Sequence, residues 1–499
     1  MKKAVLLGFL VLLSLAPVRG EDRPLPEGAL ARMGPGERAG MGAMNAVAFS
    51  PDGKLLASGD RENLVTLWEA ATGRKVRELR GHTNWIRCLG FSPDGATLAS
   101  GGTDGTLRLW ETATGRELRR FQGHEGEIHA LCFFADGKTL ASGGQDMTVR
   151  LWEVATGREL RRLQGHENRV HGLAVSPDGV TLASGSIDKT LRVWDAASGR
   201  ALLKLKGHDG DVASVAFSPD GKTVATASDD GTLRLWAAAT GRELMKLEGH
   251  DGRVLSVAFS PDGGILASAG YDHTVRLWEP ATGKELVKLD GHEGPVLSVA
   301  FSPDGRRLAS GGCDVTCLVW DLGALPGSRE TPPALEALWI RLASGDAREA
   351  FLAAQALAGG GGRAAAFLGE RLVPVDTADP RLLAGLVAGL DDPSFAAREK
   401  ASDALEALDH QAEAPLRKAL SESPSMEVQA RGQRLLDGLA LPLVKSPEAL
   451  RGVRAVRVLE LLGGPEARAA LVRLSKGAPA ARLTRRATEA LKRLEVSGR

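Results

Sequence analysis

Residues 207–237 read GHDGDVASVAFSPDGKTVATASDDGTLRLWA, and this stretch, repeated along the chain, decides the fold. Gly-His pairs recur every 42 residues, from Gly81-His82 to Gly291-His292. Tryptophan recurs with the same spacing at Trp68, Trp110, Trp152, Trp194, Trp236, Trp278 and Trp320. A fixed period of this length indicates a repeat architecture in which one supersecondary unit is copied seven times.

Each repeat alternates short apolar runs with turn sequences. In the quoted repeat the turns are Ser-Pro-Asp-Gly at 218–221 and Asp-Gly-Thr at 230–232, and Ala-Thr-Gly-Arg follows at 239–242. Proline, glycine and aspartate favour turns, and short runs of alternating polarity such as 232–236 indicate strands. Four short strands in a unit of this size are typical of one blade of a β-propeller.

The region 27–321 resembles a WD40-repeat (WD-repeat) β-propeller with seven blades. The Trp-Asp dipeptide of that family stands at Trp194-Asp195 and Trp320-Asp321, whereas the other repeats carry Trp-Glu or, at 236–237, Trp-Ala. The predicted fold class is therefore mainly β plus α: a seven-bladed propeller followed by an α-helical domain. The resemblance implies that the last blade takes its outer strand from the N-terminus. Because the seventh repeat stops after Asp321, residues 27–38 are predicted to close the ring, with Gly28–Met33 as the strand.

The second to seventh repeats each carry a histidine, a hydroxyl residue, an aspartate and a tryptophan at the same four positions. The six sets are His82, Ser100, Asp104 and Trp110; His124, Ser142, Asp146 and Trp152; His166, Ser184, Asp188 and Trp194; His208, Thr226, Asp230 and Trp236; His250, Ser268, Asp272 and Trp278; His292, Ser310, Asp314 and Trp320.

These sets contain the residue types of a nucleophilic triad, but an active site is needed once and this pattern occurs six times. The resemblance implies a structural role, in which the four side chains form a hydrogen-bonded tetrad. No catalytic residue is predicted. The first repeat departs from the pattern, because Gly40 and Glu62 stand where the histidine and the aspartate are expected, although Ser58 and Trp68 remain.

Function is expected where the repeats differ, and the resemblance implies that three variable positions per blade gather on one face. They are the third and fifth residues after the tetrad histidine and the residue before the tetrad aspartate. The predicted partner-binding residues are Arg61, Trp85, Arg87, Glu127, His129, Gln145, Arg169, His171, Asp211, Arg253 and Tyr271. Tryptophan, tyrosine and arginine are enriched among interface hot spots, so a protein or peptide partner is favoured. A sugar or phosphate ligand is the alternative.

The sequence predicts no cofactor and no metal site. His129 and His171 occupy equivalent positions in adjacent repeats, but no carboxylate or cysteine at a matching position completes a zinc ligand set. Cys88 and Cys132 are predicted in inner strands, and Cys313 and Cys317 flank a hairpin, where they either pair or remain free thiols.

The N-terminus has the pattern of a secretory signal at residues 1–20. Lys2 and Lys3 precede an apolar run from Ala4 to Ala16, and small residues lead to a predicted cleavage site before Glu21. The alternative is an uncleaved membrane anchor, but the run spans roughly 20 Å, less than a hydrocarbon core of about 30 Å. An exported, periplasmic or secreted protein is therefore expected.

A change of composition divides the rest of the chain. Residues 322–333 are rich in glycine and proline and predict a linker, and residues 334–499 predict a helical domain. Helical spacing of apolar residues is found in 334–343, 348–358, 381–390, 395–408, 426–439, 447–462 and 480–494. The stretch 391–408 resembles a HEAT-type repeat, which implies stacked helical pairs; an irregular helical bundle is the alternative. The arginine-rich 482–493 segment favours a solvated helix face over a nucleic-acid site.

The whole sequence favours a non-enzymatic scaffold that docks protein partners through the propeller face and the helical tail. A net charge of +1 argues against a nucleic-acid binder. The alternatives are a small-ligand sensor or enzyme that uses the central channel, and a propeller that serves as a rigid spacer for the tail. No segment after the signal is long enough to span a membrane.

Overall fold

The structure is a computed structural model and describes residues 24–34, 42–323, 325, 334–422, 425–440, 444 and 446–496. The predicted signal segment 1–20, Gly40 and most of the predicted linker lie outside the described residues. The predicted fold class is confirmed, because seven four-stranded antiparallel sheets precede a helical region.

Each sheet is one blade, and its strands follow the chain from the innermost to the outermost except in blade seven, whose outermost strand comes from the N-terminus. Blade one consists of β2 (Met44–Phe49), β3 (Leu55–Asp60), β4 (Leu64–Glu69) and β5 (Lys75–Arg80). Blade two consists of β6 (Ile86–Phe91), β7 (Thr97–Gly102), β8 (Leu107–Glu111) and β9 (Glu117–Phe121). Blade three consists of β10 (Ile128–Phe133), β11 (Thr139–Gly144), β12 (Val149–Glu153) and β13 (Glu159–Leu163). Blade four consists of β14 (Val170–Val175), β15 (Thr181–Ser186), β16 (Leu191–Asp195) and β17 (Ala201–Leu205).

The strands of the last three blades lie in the same order, from the innermost to the outermost. Blade five consists of β18 (Val212–Phe217), β19 (Thr223–Ser228), β20 (Leu233–Ala237) and β21 (Glu243–Leu247). Blade six consists of β22 (Val254–Phe259), β23 (Leu266–Gly270), β24 (Val275–Glu279) and β25 (Lys284–Leu289). Blade seven consists of β26 (Val296–Phe301), β27 (Arg307–Gly312), β28 (Cys317–Asp321) and β1 (Ala29–Met33).

The propeller ring closes through β1, which pairs antiparallel with β28. The predicted closure is therefore confirmed for Ala29–Met33, and residues 35–38 lie outside the described part of the chain. Ala31 and Met33 are buried and pack in one cluster with Trp68 of blade one and Val319 of blade seven. One N-terminal strand thus joins the first and last blades and removes the sheet edge that blade seven would otherwise expose.

The repeated tryptophans bind neighbouring blades together. Trp194 of blade four packs in the cluster that contains Leu151 and Leu163 of blade three, and Trp152 packs in the same way with Leu109 of blade two. Because each indole lies between two sheets, a residue that repeats once per blade builds the core around the whole ring.

The tail contains ten α-helices in its described residues. They are α1 (Leu335–Arg341), α2 (Ala347–Ala358), α3 (Gly361–Arg371), α4 (Pro380–Gly389), α5 (Phe395–Ala407), α6 (Glu413–Glu422), α7 (Met426–Ala440), α8 (Pro447–Leu462), α9 (Pro465–Leu474) and α10 (Arg482–Val496). The sequence analysis missed α3, α6 and α9 as helices of their own, whereas the predicted helix at 480–494 corresponds to α10. Helix α3 starts in the run 359–362 of four glycines, which the composition assigns to a loop.

The tail has two cores. One is formed by α1, α2 and α3 together with α8, α9 and α10, so both ends of the tail share it. The other contains Leu383, Leu405, Leu416 and Leu436 of α4 to α7. Trp339 lies partly buried against the first core, and the guanidinium of Arg451 lies 5.2 Å from its ring centroid.

The first core of the tail is fixed to the propeller. Phe351 of α2 packs with Leu286 and Val287 on the outer strand of blade six. Leu322 and Leu325, which the composition places in the linker, are 2% and 1% exposed in the same cluster. The chain after blade seven therefore anchors the tail rather than separating it, because these two leucines bury apolar surface against both parts.

None of the helices in the described ranges combines the length and the apolar character that a membrane crossing requires.

Candidate functional site

The six tetrads are hydrogen-bonded alike. In blade two, His82 bonds Asp104 through Nδ1 at 2.9 Å and Ser100 Oγ through Nε2 at 2.8 Å, and Trp110 Nε1 donates to the same hydroxyl at 2.8 Å. In blade five, Thr226 replaces the serine and accepts from Trp236 Nε1 at 2.9 Å. The hydroxyl is held between two buried rings in every set and has no access to a substrate, which favours the structural role over catalysis.

Each tetrad aspartate carries further hydrogen bonds. Asp188 accepts from the hydroxyl and the backbone N–H of Thr190 and from the backbone N–H of Glu167. Burial alone would raise the pKa of this carboxyl, but the hydrogen bonds from His166 and Thr190 outweigh it, so the pKa of Asp188 lies below its usual value. The tetrad thus stabilises the ionised aspartate in the turn of the hairpin between β15 and β16.

Sequence analysis missed a second polar pair beside four of the tetrads. Arg108 and Arg150, which are 3% and 1% exposed, bond Glu117 and Glu159 on the outermost strand at 2.6 and 2.7 Å. Blades five and six repeat this pair. The sequence does contain the corresponding pattern: an arginine two residues before the repeated tryptophan, and a glutamate nine residues after that arginine.

Blade one replaces the missing tetrad by a local hydrogen bond. Asp60, two residues before Glu62, accepts from the backbone N–H groups of Glu62 and Leu64, both at 2.9 Å. Trp68 Nε1 still donates to Ser58 Oγ at 2.8 Å. The hairpin is therefore capped in blade one without the histidine link to the preceding loop.

The variable positions share one face of the ring, which we call the docking face. Backbone hydrogen bonds join the loop before each innermost strand to the neighbouring hairpin, as from Thr103 N–H to Trp85 O and from Tyr271 N–H to Arg253 O. The docking face is defined by residues 61, 85, 87, 127, 129, 145, 169, 171, 211, 253 and 271. Trp85 and Tyr271 are exposed by 38% and 52%, which is unusual for large aromatic side chains.

Trp85 is the centre of a cationic stack on blades one and two. The guanidinium groups of Arg61 and Arg87 lie 4.9 and 5.4 Å from the Trp85 ring centroid. Arg61 Nε also donates to Asn45 Oδ1 at 3.1 Å. Burial lowers the pKa of Arg87; Glu127 opposes the shift and the charges of Arg61 and Arg169 add to it. The sequence placed these residues on one face, and the structure brings them into contact.

His129 and His171 also come together. Their ring centroids are 4.4 Å apart, and the Nε2 atom of each ring is buried without a hydrogen-bond partner in the described part of the chain. His129 Nε2 lies 3.6 Å from a carboxylate oxygen of Glu127. Burial, with the positive charge of Arg87 and Arg169, lowers the pKa of His129 to about 3 and that of His171 to about 4. Both imidazoles are therefore neutral near pH 7.

Of the other predicted residues, Asp211 and Arg253 lie on the same face but across the ring, on blades five and six, and Gln145 stabilises a loop of the face. Arg253 Nε donates to Asp229 Oδ2 at 2.7 Å, and Asp211 lies near Asp229, whose charge adds to burial in raising the pKa of Asp211. Gln145 Oε1 accepts from the backbone N–H of Glu127 at 3.1 Å, so this side chain holds a loop together. On blades five and six, Arg253 is therefore paired with a carboxylate, whereas Arg87 and Arg169 on blades two and four have no such pair among the described residues.

The second residue of each innermost strand is polar in one part of the ring and apolar in the rest. From blade one to blade seven, the residues at this register are Asn45, Arg87, His129, His171, Ala213, Leu255 and Leu297. The polar members are contiguous on blades one to four. The sequence analysis named Arg87, His129 and His171 among the predicted partner-binding residues, but it did not identify the contiguous polar positions as a single site.

The four cysteines are free thiols. Cys313 lies 4.0 Å from an Arg61 nitrogen, and Cys317 is buried in the strand, so the alternative of a pair across the hairpin is not formed. Burial raises the pKa of Cys132 and of Cys317 to about 12, which leaves both protonated near pH 7. Among the described residues, no three side chains of histidine, cysteine, aspartate or glutamate gather as a metal site would require.

The repeats match the WD domain, G-beta repeat family in seven successive segments. These segments are residues 39–69, 73–111, 115–153, 157–195, 199–237, 241–279 and 283–321, and together they cover more than half of the chain. The chain belongs to the WD40-repeat family. Propellers of this family generally mediate protein–protein interactions without catalysis, so a WD40 chain with an exposed and varied docking face has the surface that such an interaction uses.

Curated relatives share single stretches with this WD40 chain. It is 50% identical over 46 residues to an uncharacterized WD repeat-containing protein of Nostoc sp., a match to 9% of this chain and 3% of the relative. It is 50% identical over 42 residues to the probable serine/threonine-protein kinase PkwA of Thermomonospora curvata, covering 8% and 6%. It is 62% identical over 34 residues to Protein Mut11 of Chlamydomonas reinhardtii, covering 7% and 9%. The chain spans less than a tenth of the length of these relatives, and each match is about as long as one blade.

Proposed function

We propose that this WD40 protein is a non-enzymatic scaffold that binds a protein partner through the docking face of its propeller. The observation that carries the proposal is the exposed Trp85 held between Arg61 and Arg87. A tryptophan kept at the surface by two guanidinium groups presents a rigid apolar area surrounded by hydrogen-bond donors, and those are the features of an interface hot spot. The repeated tetrads support the non-enzymatic part, since their hydroxyls are buried and bonded on both sides.

Site-specific photocrosslinking tests the docking face. A photoreactive amino acid at Tyr271, which is 52% exposed, is expected to capture a discrete partner in the native host. The matched control is Val180, which is 54% exposed in a turn at the opposite end of blade four. Capture at Val180 equal to that at Tyr271 would contradict the assignment of the face.

A pair of substitutions tests the hot spot itself. Trp85→Ala combined with Arg169→Ala removes the central aromatic and a cation of the docking face, and we expect it to reduce recovery of the crosslinked partner by at least about tenfold, since hot-spot truncations cost about 2 kcal/mol or more. Undiminished capture at Tyr271 would show that Trp85 and Arg169 do not carry the binding. Failure of the unsubstituted protein to capture any partner at Tyr271 would instead favour the small-ligand sensor or channel enzyme, or the role of a spacer for the tail.

We infer that the tail supplies a second docking surface. A groove of about 560 Å³ lies between α5, α7 and the start of α8. Glu399, Asp403, Arg431 and Arg434 line it together with Leu435. The helices α4 and α5 pack on each other, as do α6 and α7, and the two pairs are in contact, as the resemblance to HEAT-type repeats implies. A crosslinker placed in this groove tests the second surface. We expect the charge reversal Arg434→Glu to abolish capture of a partner there, while the docking face still captures its own partner.

We further propose that the protein is exported through the signal at residues 1–20. The basic start, the apolar run and the small residues before Glu21 support this localisation. Fractionation of the host should place the protein outside the cytoplasm, with a mature N-terminus at Glu21 by mass spectrometry. Recovery of the chain in the cytoplasm with residue 1 retained would overturn the proposal.

A further inference from the structure

We propose that the docking face recognises an acidic peptide, and that a carboxylate side chain of this peptide binds between Arg87, Arg169 and the His129–His171 pair. This inference rests on the proposed function and assigns the chemistry of the partner at that same face.

The first observation is that Arg87 and Arg169, two half-buried arginines of the docking face, lack a carboxylate pair. Arg108 and Arg150, which lie away from this face, pair with Glu117 and Glu159 at 2.6 and 2.7 Å. By contrast, the described part of the chain gives the guanidinium groups of Arg87 and Arg169 no ion pair and no hydrogen bond, and the Nε of Arg87 is buried without a hydrogen-bond partner. Burial of a guanidinium without a paired anion is costly, so Arg87 in particular is suited to bind one.

The second observation is the histidine pair next to these arginines. The side chain of His129 is 8% exposed, and its Nε2 and that of His171 have no hydrogen-bond partner among the described residues, although His129 Nε2 lies 3.6 Å from the Glu127 carboxylate. Buried polar atoms are normally hydrogen-bonded in folded proteins. Each imidazole can donate one N–H to a carboxylate oxygen after a small rotation, and a carboxylate accepts several such bonds at once.

The charge around the site selects an anion over a cation. Arg87 and Arg169 act on both imidazoles, whereas the carboxylates near the pair are Glu127 beside His129 and Asp229, which acts on His171 and is already bonded to Arg253. A metal ion would be repelled by the two unpaired guanidinium groups, whereas a carboxylate would be attracted. Arginine also offers paired N–H donors that match the two oxygens of a carboxylate.

The rim of the face favours a single carboxylate over a polyanion. The residue after each tetrad histidine in blades three to seven is acidic: Glu125, Glu167, Asp209, Asp251 and Glu293. These residues are exposed and place negative charge on the rim of blades three to seven, whereas blade two has Thr83 at this position. A nucleic acid that crossed the face would meet these carboxylates, whereas a peptide with one acidic side chain reaches the arginines from the side of blades one and two.

The experiment follows the two imidazoles by NMR in the full chain with labelled histidine. Three probes are titrated: capped Gly-Glu-Gly, capped Gly-Gln-Gly and acetate. We expect saturable shifts of the His129 and His171 resonances with the glutamate peptide, at a dissociation constant about tenfold or more below that of the glutamine peptide, since a charge-assisted hydrogen bond is worth more than a neutral one. Acetate is expected to bind more weakly than the glutamate peptide because it lacks the backbone contacts.

Matched variants locate the binding. Arg169→Ala should weaken the glutamate peptide by about tenfold, whereas Arg158→Ala, an exposed arginine outside the docking face that pairs with Glu153, should change it by less than about threefold. Unchanged melting temperatures show that both variants are folded.

Three results would overturn the proposal: no saturable shift with the glutamate peptide, equal binding of the glutamine peptide, or equal losses in the two variants. Acetate binding as tightly as the peptide would assign the site to a free carboxylate instead. If crosslinking at Tyr271 persists in any of these cases, the docking face stands and only the chemistry of the partner is wrong.

Discussion

Arg454 of α8 and Glu279 of blade six form a buried ion pair that joins the tail to the propeller. Both side chains are about nine-tenths buried, and the guanidinium meets the two carboxylate oxygens at 2.7 and 2.8 Å. The third nitrogen of Arg454 donates to the carbonyl oxygens of Leu342 and Ser344 at 2.7 and 2.9 Å. A side chain bonded through all three of its guanidinium nitrogens fixes the orientation of α8 on the ring.

Further polar contacts place the tail on the side of the ring opposite to the docking face. Arg457 Nε meets Asp262 in the Ser-Pro-Asp-Gly turn of blade six at 2.5 Å. Arg306 of the equivalent turn in blade seven donates to Leu461 O, and Arg242 of blade five bonds Asp437. The docking face is therefore left uncovered by the tail, and the two proposed docking surfaces are held at a fixed distance.

Breaking the buried ion pair should destabilise the interface between the tail and the propeller. Glu279→Ala leaves Arg454 buried without its anion, which costs about 3–5 kcal/mol. The prediction is a lower denaturation midpoint and faster proteolysis within the tail. The control is Glu248→Ala, which removes an exposed ion pair with Lys246 and should cost less than about 1 kcal/mol. Similar losses in the two variants would show that the pair does not hold the tail.

The closing strand should depend on the inward-facing side chains of β1. Met33 is 1% exposed against blades one and seven, so Met33→Ala should cost about 2–5 kcal/mol of unfolding free energy. Leu30 lies in the same strand but is 48% exposed, and Leu30→Ala should remain within about 0.5 kcal/mol of the parent. Chemical denaturation measures both. A deletion of residues 27–38 is expected to lower the melting temperature more than either substitution.

A tetrad substitution should affect stability and leave docking intact. Asp188→Ala removes the partner of His166 Nδ1 and should cost about 1–3 kcal/mol. Glu167→Ala, which removes a surface pair with Lys204, is the control and should cost less than about 1 kcal/mol. Crosslinking at Tyr271 should be retained in both. Loss of capture in a folded Asp188→Ala variant would point to a functional role for the tetrad.

The histidine pair predicts a specific dependence of stability on pH. The folded pKa values of His129 and His171, about 3 and about 4, lie below the unfolded value of about 6.5. The unfolded chain therefore binds protons that the folded chain does not, and stability is full above about pH 6.5 and falls as the pH is lowered toward 4. Each histidine contributes a slope of up to about 1.4 kcal/mol per pH unit.

Denaturation at several pH values measures this slope. The double variant His129→Gln and His171→Gln should lose less stability than the parent between about pH 6 and pH 5, because its unfolded state gains two fewer protons. An identical pH dependence in the two proteins would show that these imidazoles titrate normally in the folded state.

The sequence by itself determined the propeller. A 42-residue period, the turn residues and the position of one tryptophan per repeat specified the blades, and these features are local or strictly periodic, so each repeat reports the same unit independently. The resemblance to the WD-repeat family, together with the incomplete seventh repeat, implied that β1 closes the ring. The same resemblance implied that Trp85, His129 and Arg169 share one face.

Only the tertiary structure decided how these parts meet. Arg454 and Glu279 are 175 residues apart, and neither belongs to a periodic pattern, so no spacing in the sequence connects them. The contact of His129 with His171 and the stacking of Trp85 between two arginines depend on which side chains of neighbouring blades turn toward one another. Which residues pair and which are buried depends on distances between parts of the chain that are remote in sequence. Those distances are set only when the ring closes and the tail packs against it.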